Sequence, residues 1–599
     1  MILIVRTRCP MDSVTSTSSP INLFEGVVAY EALGPITTNP SGTITTTLVP
    51  LTPTENGDKA YATSGSACLD FFIRITRSAK LPDYVNSFMT ALNEDYGTAM
   101  KILFNLRDIR KGKGEKLIPI VLMVCMKSML STETYAQILK SFVAYGCWKD
   151  VLRIIEIQLR LDPAASIDPE LNLFADQLHT DYGAYMQSLC EIPLIERNRG
   201  ALATTVPTEK KVAITLCAKW APSEKTHYNQ APMLVANRLA KILKQDMREY
   251  RRMLSRLRAH LCVLERFMST NQTDQIDFSK IPSVAMSKMK VSFNRDTNAN
   301  GLTSDSRAKL HKSYEEFLKK LSEGKTKVNV KGIQPHELVN TYLMKNTELD
   351  LLVEAQWSTL VANTKQSGTF KNTVAIVDTS GSMQGEPMEV AVAMGILVAE
   401  CTESADNRIL TFSESPRWHE LTGTTLREKV NSIVYKDWGM STNLRAVFDL
   451  ILTDAIDREL SRTDIVDTLI IFTDMQFDSV TSGSPWESTF ETATNKFRAA
   501  GYELPSIVCW NLRTSGSKSL PVTKDTKGYV MLSGFSAEML RHLINGEEMT
   551  PYTMMMHALA AYETIARPES CRGLPFELSS LQTSVEQSAF KKAFKKPQK

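Results

Sequence analysis

The hydrophobic period of this sequence changes near residue 370, and that change restricts the fold more than any other feature. Before it, Tyr84–Asn93, Gly97–Arg107, Glu115–Met129, Tyr135–Ala144, Trp148–Leu161 and Leu171–Gln187 carry apolar residues at three- and four-residue steps, which predicts short-linked helices. Helices joined in this way pack as an antiparallel, solenoid-like array, although no strict repeat length is visible. After it, Thr373–Val377, Ile409–Phe412, Thr468–Phe472, Ile507–Trp510 and Tyr529–Leu532 are short, β-leaning apolar runs. Helical stretches at about 387–403, 441–457, 486–500 and 536–544 alternate with them. Such alternation predicts a doubly wound, mostly parallel sheet that binds ligands beyond the carboxyl ends of its strands.

At 599 residues the chain exceeds one hydrophobic core, so it divides into a multidomain α and α/β protein. Residues 13–54 hold fifteen Ser or Thr and no Lys or Arg, too little apolar surface to offset ordering entropy, so 1–65 is expected to be a disordered Ser/Thr/Pro-rich arm. The helical array follows over 66–360, the sheet domain over 370–566, and a C-terminal extension with a Lys-rich tail over 567–599. A connection of only about ten residues favours two packed domains over two tethered ones.

Composition narrows the setting. No apolar run approaches the roughly 20 residues that span a bilayer, and Met1–Val5 is too short for a secretory core. Ten cysteines without a Cys-x-x-Cys pair suit reduced thiols in an intracellular protein, cytoplasmic with the nucleus as alternative. The net charge of +3 means that any nucleic-acid surface must arise from local patterning.

Val374–Val377 reads as a central strand, and Asp378, Ser380 and Ser382 leave its end at alternate positions of a tight turn that Gly381 permits. A carboxylate and two hydroxyls aimed at one point select a hard cation, Mg²⁺ first, with Mn²⁺ or Ca²⁺ as alternatives. The competing reading is a Ser-rich turn without metal. The segment resembles the metal-ion-dependent adhesion site of von Willebrand factor A domains, which are Rossmann-like. That resemblance implies Thr442, in Trp438–Asn443, and Asp474, after Ile470–Thr473, as further ligands. It also implies an open coordination position for an acidic group of a partner. Asp478, four residues past Asp474, reads as an outer group or, more often for such a position, a solvated residue.

The helical region has its own markers: Leu103–Glu115, Tyr145–Leu152, Ala218–Lys225 and Ile281–Met286. Together they resemble a group of uncharacterised proteins in which HEAT-like helical repeats precede an A domain, over roughly residues 66–560. That group is distantly similar to Ro ribonucleoproteins of the TROVE type, whose helical ring binds small noncoding RNAs and the single-stranded ends of misfolded RNAs. No motif here aligns the Ro RNA contacts one by one.

If Arg238–Arg258 forms one helix, Arg238, Lys241, Lys244, Arg248, Arg251, Arg252, Arg256 and Arg258 share one arc, opposite Leu239, Tyr250 and Leu257. Eight like charges on one face call for a polyanion, or else form a solvated basic face. A second cluster is Arg107, Arg110, Lys111, Lys113 and Lys116, whose glycines admit a phosphate or simply make a turn. Catalytic signatures are missing: no phosphate loop, no His-Glu-x-x-His, no zinc spacing, and no His beside Ser380 or Ser382. His336 reads as a cap or core hydrogen-bonder. The expected function is therefore non-enzymatic RNA binding in a Ro-like ribonucleoprotein. The alternative is a protein–protein scaffold whose metal grips a partner's carboxylate.

Overall fold

A computed structural model describes residues 37–38, 44–45, 49, 51–53, 59–190, 212–297, 303–343, 348–403, 407–412, 416–434, 444–475, 486–514, 520–543, 550–571 and 575–576. Seven helices open the helical half: α1 (Ala67–Arg74), α2 (Leu81–Glu94), α3 (Tyr96–Arg107), α4 (Ile118–Met129), α5 (Thr132–Tyr145), α6 (Trp148–Leu161) and α7 (Asp168–Cys190). Their starts follow capping chemistry: the Ser66, Asp95 and Ser131 side chains accept from the amides of Leu69, Thr98 and Thr134. Part of the arm expected to be disordered is paired. Leu51–Pro53 pairs antiparallel with Lys59–Tyr61, and Tyr61 exchanges backbone hydrogen bonds with Leu520 of the sheet domain.

Arg238–Arg258 is two helices, Val235–Ile242 and Met247–His260, which corrects the single-helix expectation. Lys244 takes φ of 53°, and Asp246 starts the second helix through a reciprocal capping box with Glu249. The eight cations consequently do not form one continuous face.

Among the described residues the sheet domain has six strands: β1 (Thr373–Asp378), β2 (Arg408–Phe412), β3 (Arg417–Glu420), β4 (Thr468–Thr473), β5 (Ser506–Asn511) and β6 (Tyr529–Ser533). Their order is β6–β5–β4–β1–β2–β3, parallel except for β3, which runs antiparallel to β2. The fold is thus a helical region followed by a doubly wound, mostly parallel sheet with flanking helices. Strand β3 escaped the sequence reading because Arg-Trp-His-Glu is a short polar edge. Helix Glu386–Cys401 follows β1 and is apolar almost all round, as burial between the sheet and the helical half requires.

Both ends of the helical half are fastened to the sheet domain. At one end, Ser533 Oγ donates to Phe72 O at 2.8 Å and Asn511 Nδ2 to Ile73 O at 3.1 Å. At the other, helix Pro335–Leu343 lies on Glu386–Cys401, with Asn340 Nδ2 donating to Glu389 at 3.0 Å. Arg77 bridges Glu115 at 3.3 Å and Glu386 at 2.6 Å. The C-terminal segment returns to the helices, where Phe576 stacks on Tyr96 with ring centroids 5.7 Å apart. Among the described residues no helix is long and apolar enough to cross a membrane, and the eight described cysteines carry free thiols.

Candidate metal centre

Strand β1 lies between β2 and β4, so the sheet reverses its winding beside it, and the carboxyl ends of the strands at such a switch point are where ligands bind in folds of this kind. Asp378 ends β1 and is fully buried; Asp474 follows β4 and is 3% exposed. Because Val377 pairs with Phe472, the next residues, Asp378 and Thr473, face each other. Thr473 Oγ1 donates to Asp378 Oδ2 at 2.6 Å, while the Ser380 amide donates to Asp378 Oδ1 at 2.9 Å. Ser380 Oγ and Ser382 Oγ lie 3.0 Å apart. Thr442 and Asp478 lie outside the described residues.

Burial pushes the Asp378 carboxyl up to about 7, and the neighbouring Asp474 carboxylate pushes it in the same direction. Two buried carboxylates that repel one another, with hydroxyls beside them, make an oxygen-only donor set that fits a hard divalent cation. Such an ion would be held by Asp378, Ser380, Ser382 and Asp474, and would supply a positive charge to an anionic ligand. Among the described residues no group of three or more His, Cys, Asp or Glu gathers as a metal cluster, so nitrogen- and sulfur-rich centres have no counterpart here. Thr473 was not singled out from sequence; its signal was its place directly before Asp474 at a strand end.

The expected phosphate contacts fare unevenly. Arg107 is buried, with Nε and Nη2 donating to Asp150 at 2.7 and 3.0 Å, so its charge is answered internally. Lys113 is buried too: its Nζ donates to Phe72 O, and to Ser533 Oγ at 2.7 Å. Both residues hold the fold, and neither presents its charge to RNA, contrary to the sequence expectation. Gly114 takes φ of 70°, whereas Gly112 and Gly146 are required sterically. A Cβ on Gly112 would stand 2.1 Å from Asn105 O, and one on Gly146 2.4 Å from Asp150 Oδ2. Arg110 is exposed but donates to Ala144 O at 2.8 Å, and Lys111 is exposed. On the two later helices Arg251 pairs with Glu224 at 3.1 Å and Arg256 donates to Tyr182 at 2.9 Å. Lys241, Lys244, Arg248 and Arg252 are exposed and form no ion pair among the described residues.

The two halves of the structure meet where two sequence families meet. A family described as a domain of unknown function, DUF2828, matches residues 54–169 and 171–370. The chain belongs to the DUF2828 family. A second domain of unknown function, DUF7788, covers residues 372–568, the sheet domain. A relative, Uncharacterized protein L728 of Acanthamoeba polyphaga mimivirus, is 52% identical over 562 residues, 91% of this chain and 94% of the relative. Among solved structures, the crystal structure of Deinococcus radiodurans RO (RSR) protein aligns with a TM-score of 0.34 and 13% identity, over 84% of this chain and 100% of that one.

Proposed function

We propose that this protein is a divalent-cation-dependent binding protein, not an enzyme, whose helical half takes RNA. The observation that carries the metal part is the meeting of Asp378 and Asp474, buried and mutually repelling, beside Ser380 at the switch point of the sheet. Mg²⁺ is the favoured ion, and Thr442 is proposed as a further ligand. The ion bridges protein to an anionic group and needs no activated nucleophile.

The RNA part rests on the resemblance of the helical motifs to Ro-like proteins and on four exposed cations that form no ion pair among the described residues: Lys241, Lys244, Arg248 and Arg252. Phosphate contacts of this kind set affinity and leave preference among sequences little changed. The test is retention of single-stranded RNA by the full chain at graded salt, with and without chelator. Salt-sensitive retention supports the reading. No RNA binding, together with chelator-sensitive capture of an acidic peptide, would favour a protein–protein scaffold instead.

A further inference from the structure

We infer that the helical half contains a nucleotide pocket: it takes one unstacked nucleotide, the base against the Trp220 indole and the phosphate among Lys149, Lys219 and Arg266. The cavity has a volume of about 730 Å³ and lies between α6, the Met247–His260 helix and the chain around Trp220. That is within the usual size of small-ligand sites. Two segments distant in sequence, Gly146–Asp150 and Ala218–Lys225, converge on it. Lys149 Nζ stands 5.3 Å and Lys219 Nζ 5.6 Å from the Trp220 ring centroid. Leu152, Leu254 and Val263 supply apolar lining.

The charges around the cavity fall into two groups. Arg258 is committed to the wall, its guanidinium donating to Ala218 O at 2.9 Å, Ser223 Oγ at 3.0 Å and Ala221 O at 2.6 Å. Arg251 is answered by Glu224 at 3.1 Å, and Lys219 only loosely by the exposed Glu265 at 3.6 Å. Lys149 and Arg266 form no ion pair among the described residues. Burial, together with the like charges of Arg153 and Lys288, pulls the Lys149 pKa down. An anion entering here relieves that crowding, and a planar ring on the same ligand uses the indole face. Inorganic phosphate alone leaves the indole unused, and an apolar ligand leaves the cations unanswered. Both ammonium groups sit on flexible four-carbon stems, so a base can reach the ring while an ammonium turns to the phosphate.

The pocket rests on the RNA reading only for the source of the nucleotide, which is an unpaired residue of a strand or a free nucleoside monophosphate. The experiment uses the full chain, a labelled five-residue single-stranded RNA, an RNA duplex, AMP and inorganic phosphate. Trp220→Leu should weaken single-strand binding roughly tenfold or more, with duplex binding and Tm unchanged. Lys149→Gln with Arg266→Gln should weaken it too, with a shallower salt dependence. If Trp220→Leu lowers Tm, the lysine–arginine variant decides. Ultraviolet crosslinks should fall within residues 217–228. Unchanged single-strand and AMP affinity in both variants overturns the pocket and leaves the RNA reading standing. AMP bound without any RNA keeps the pocket and removes the RNA reading. Neither bound by the parent chain removes both, and phosphate bound as well as AMP, insensitive to Trp220, overturns the base site.

Discussion

Thr473 Oγ1 reaches across from β4 to donate to Asp378 Oδ2 on β1 at 2.6 Å. The bond fixes one carboxylate oxygen, while the Ser380 amide holds the other at 2.9 Å. A carboxylate oriented from behind in this way presents its remaining lone pairs to one point, as the groups behind metal ligands commonly arrange.

Asp378→Ala should abolish the rise in Tm that millimolar Mg²⁺ gives the parent chain. Thr473→Val should keep the response but weaken metal affinity about 10- to 100-fold. Thermal shift against Mg²⁺ concentration measures both, and an undiminished response in Asp378→Ala would remove the site.

Two buried groups give the metal-free protein a defined pH response. The Asp378 pKa is raised to about 7, so the fold binds a proton that the unfolded chain has released; this contribution is present at low pH and is lost as pH rises through about 7. Burial lowers the Lys113 pKa to about 7, so its contribution is full in alkali and is lost as pH falls toward 7. Their combined contribution is therefore lowest near neutral pH. Chemical denaturation of the metal-free chain from pH 5 to 10 should show Lys113→Met removing the alkaline rise and Asp378→Asn the acid-side fall.

Removing one partner of the Arg107–Asp150 pair leaves the other buried and unanswered. Asp150→Ala should cost about 3–5 kcal/mol, measured by urea unfolding. Arg107→Met should lower Tm as well. At a temperature where that variant is folded, it should bind RNA like the parent, because its charge never faces solvent.

Arg248→Gln with Arg252→Gln keeps helix propensity and removes two exposed charges. The slope of log affinity against log salt should fall by roughly 0.7 per lost contact on single strands. Tm should stay within a degree or so, because neither residue is ion-paired among the described residues. An unchanged slope would take this surface out of the RNA path.

The strand end that carries Asp378 and the turn that carries Ser380 were legible because both are local, whereas Asp474, on another strand, came only with the family resemblance. Helix positions were legible for the same reason: Trp148–Leu161 is read from spacing alone and recurs unchanged in the fold. Arg107 and Lys113 were misread because burial is a tertiary property. Nothing beside Arg107 in sequence announces Asp150, forty-three residues later. The break at Lys244 was readable, since Asp246-Met-Arg-Glu249 carries a capping-box signature, but the basic periodicity masked it. Strand β3 and the meeting of Lys149 with Trp220 depend on pairings that no short window contains.

Open helical solenoids fray from their outer repeats and rely on polar caps to stay soluble. Here α1 is fastened to β6, and helix Pro335–Leu343 to Glu386–Cys401, so the helical stack is clamped by one body at both extremities. Neither extremity is a loose end from which unravelling can start. Unravelling from an end must first break the seam there, and loss of one seam leaves the stack held by the other.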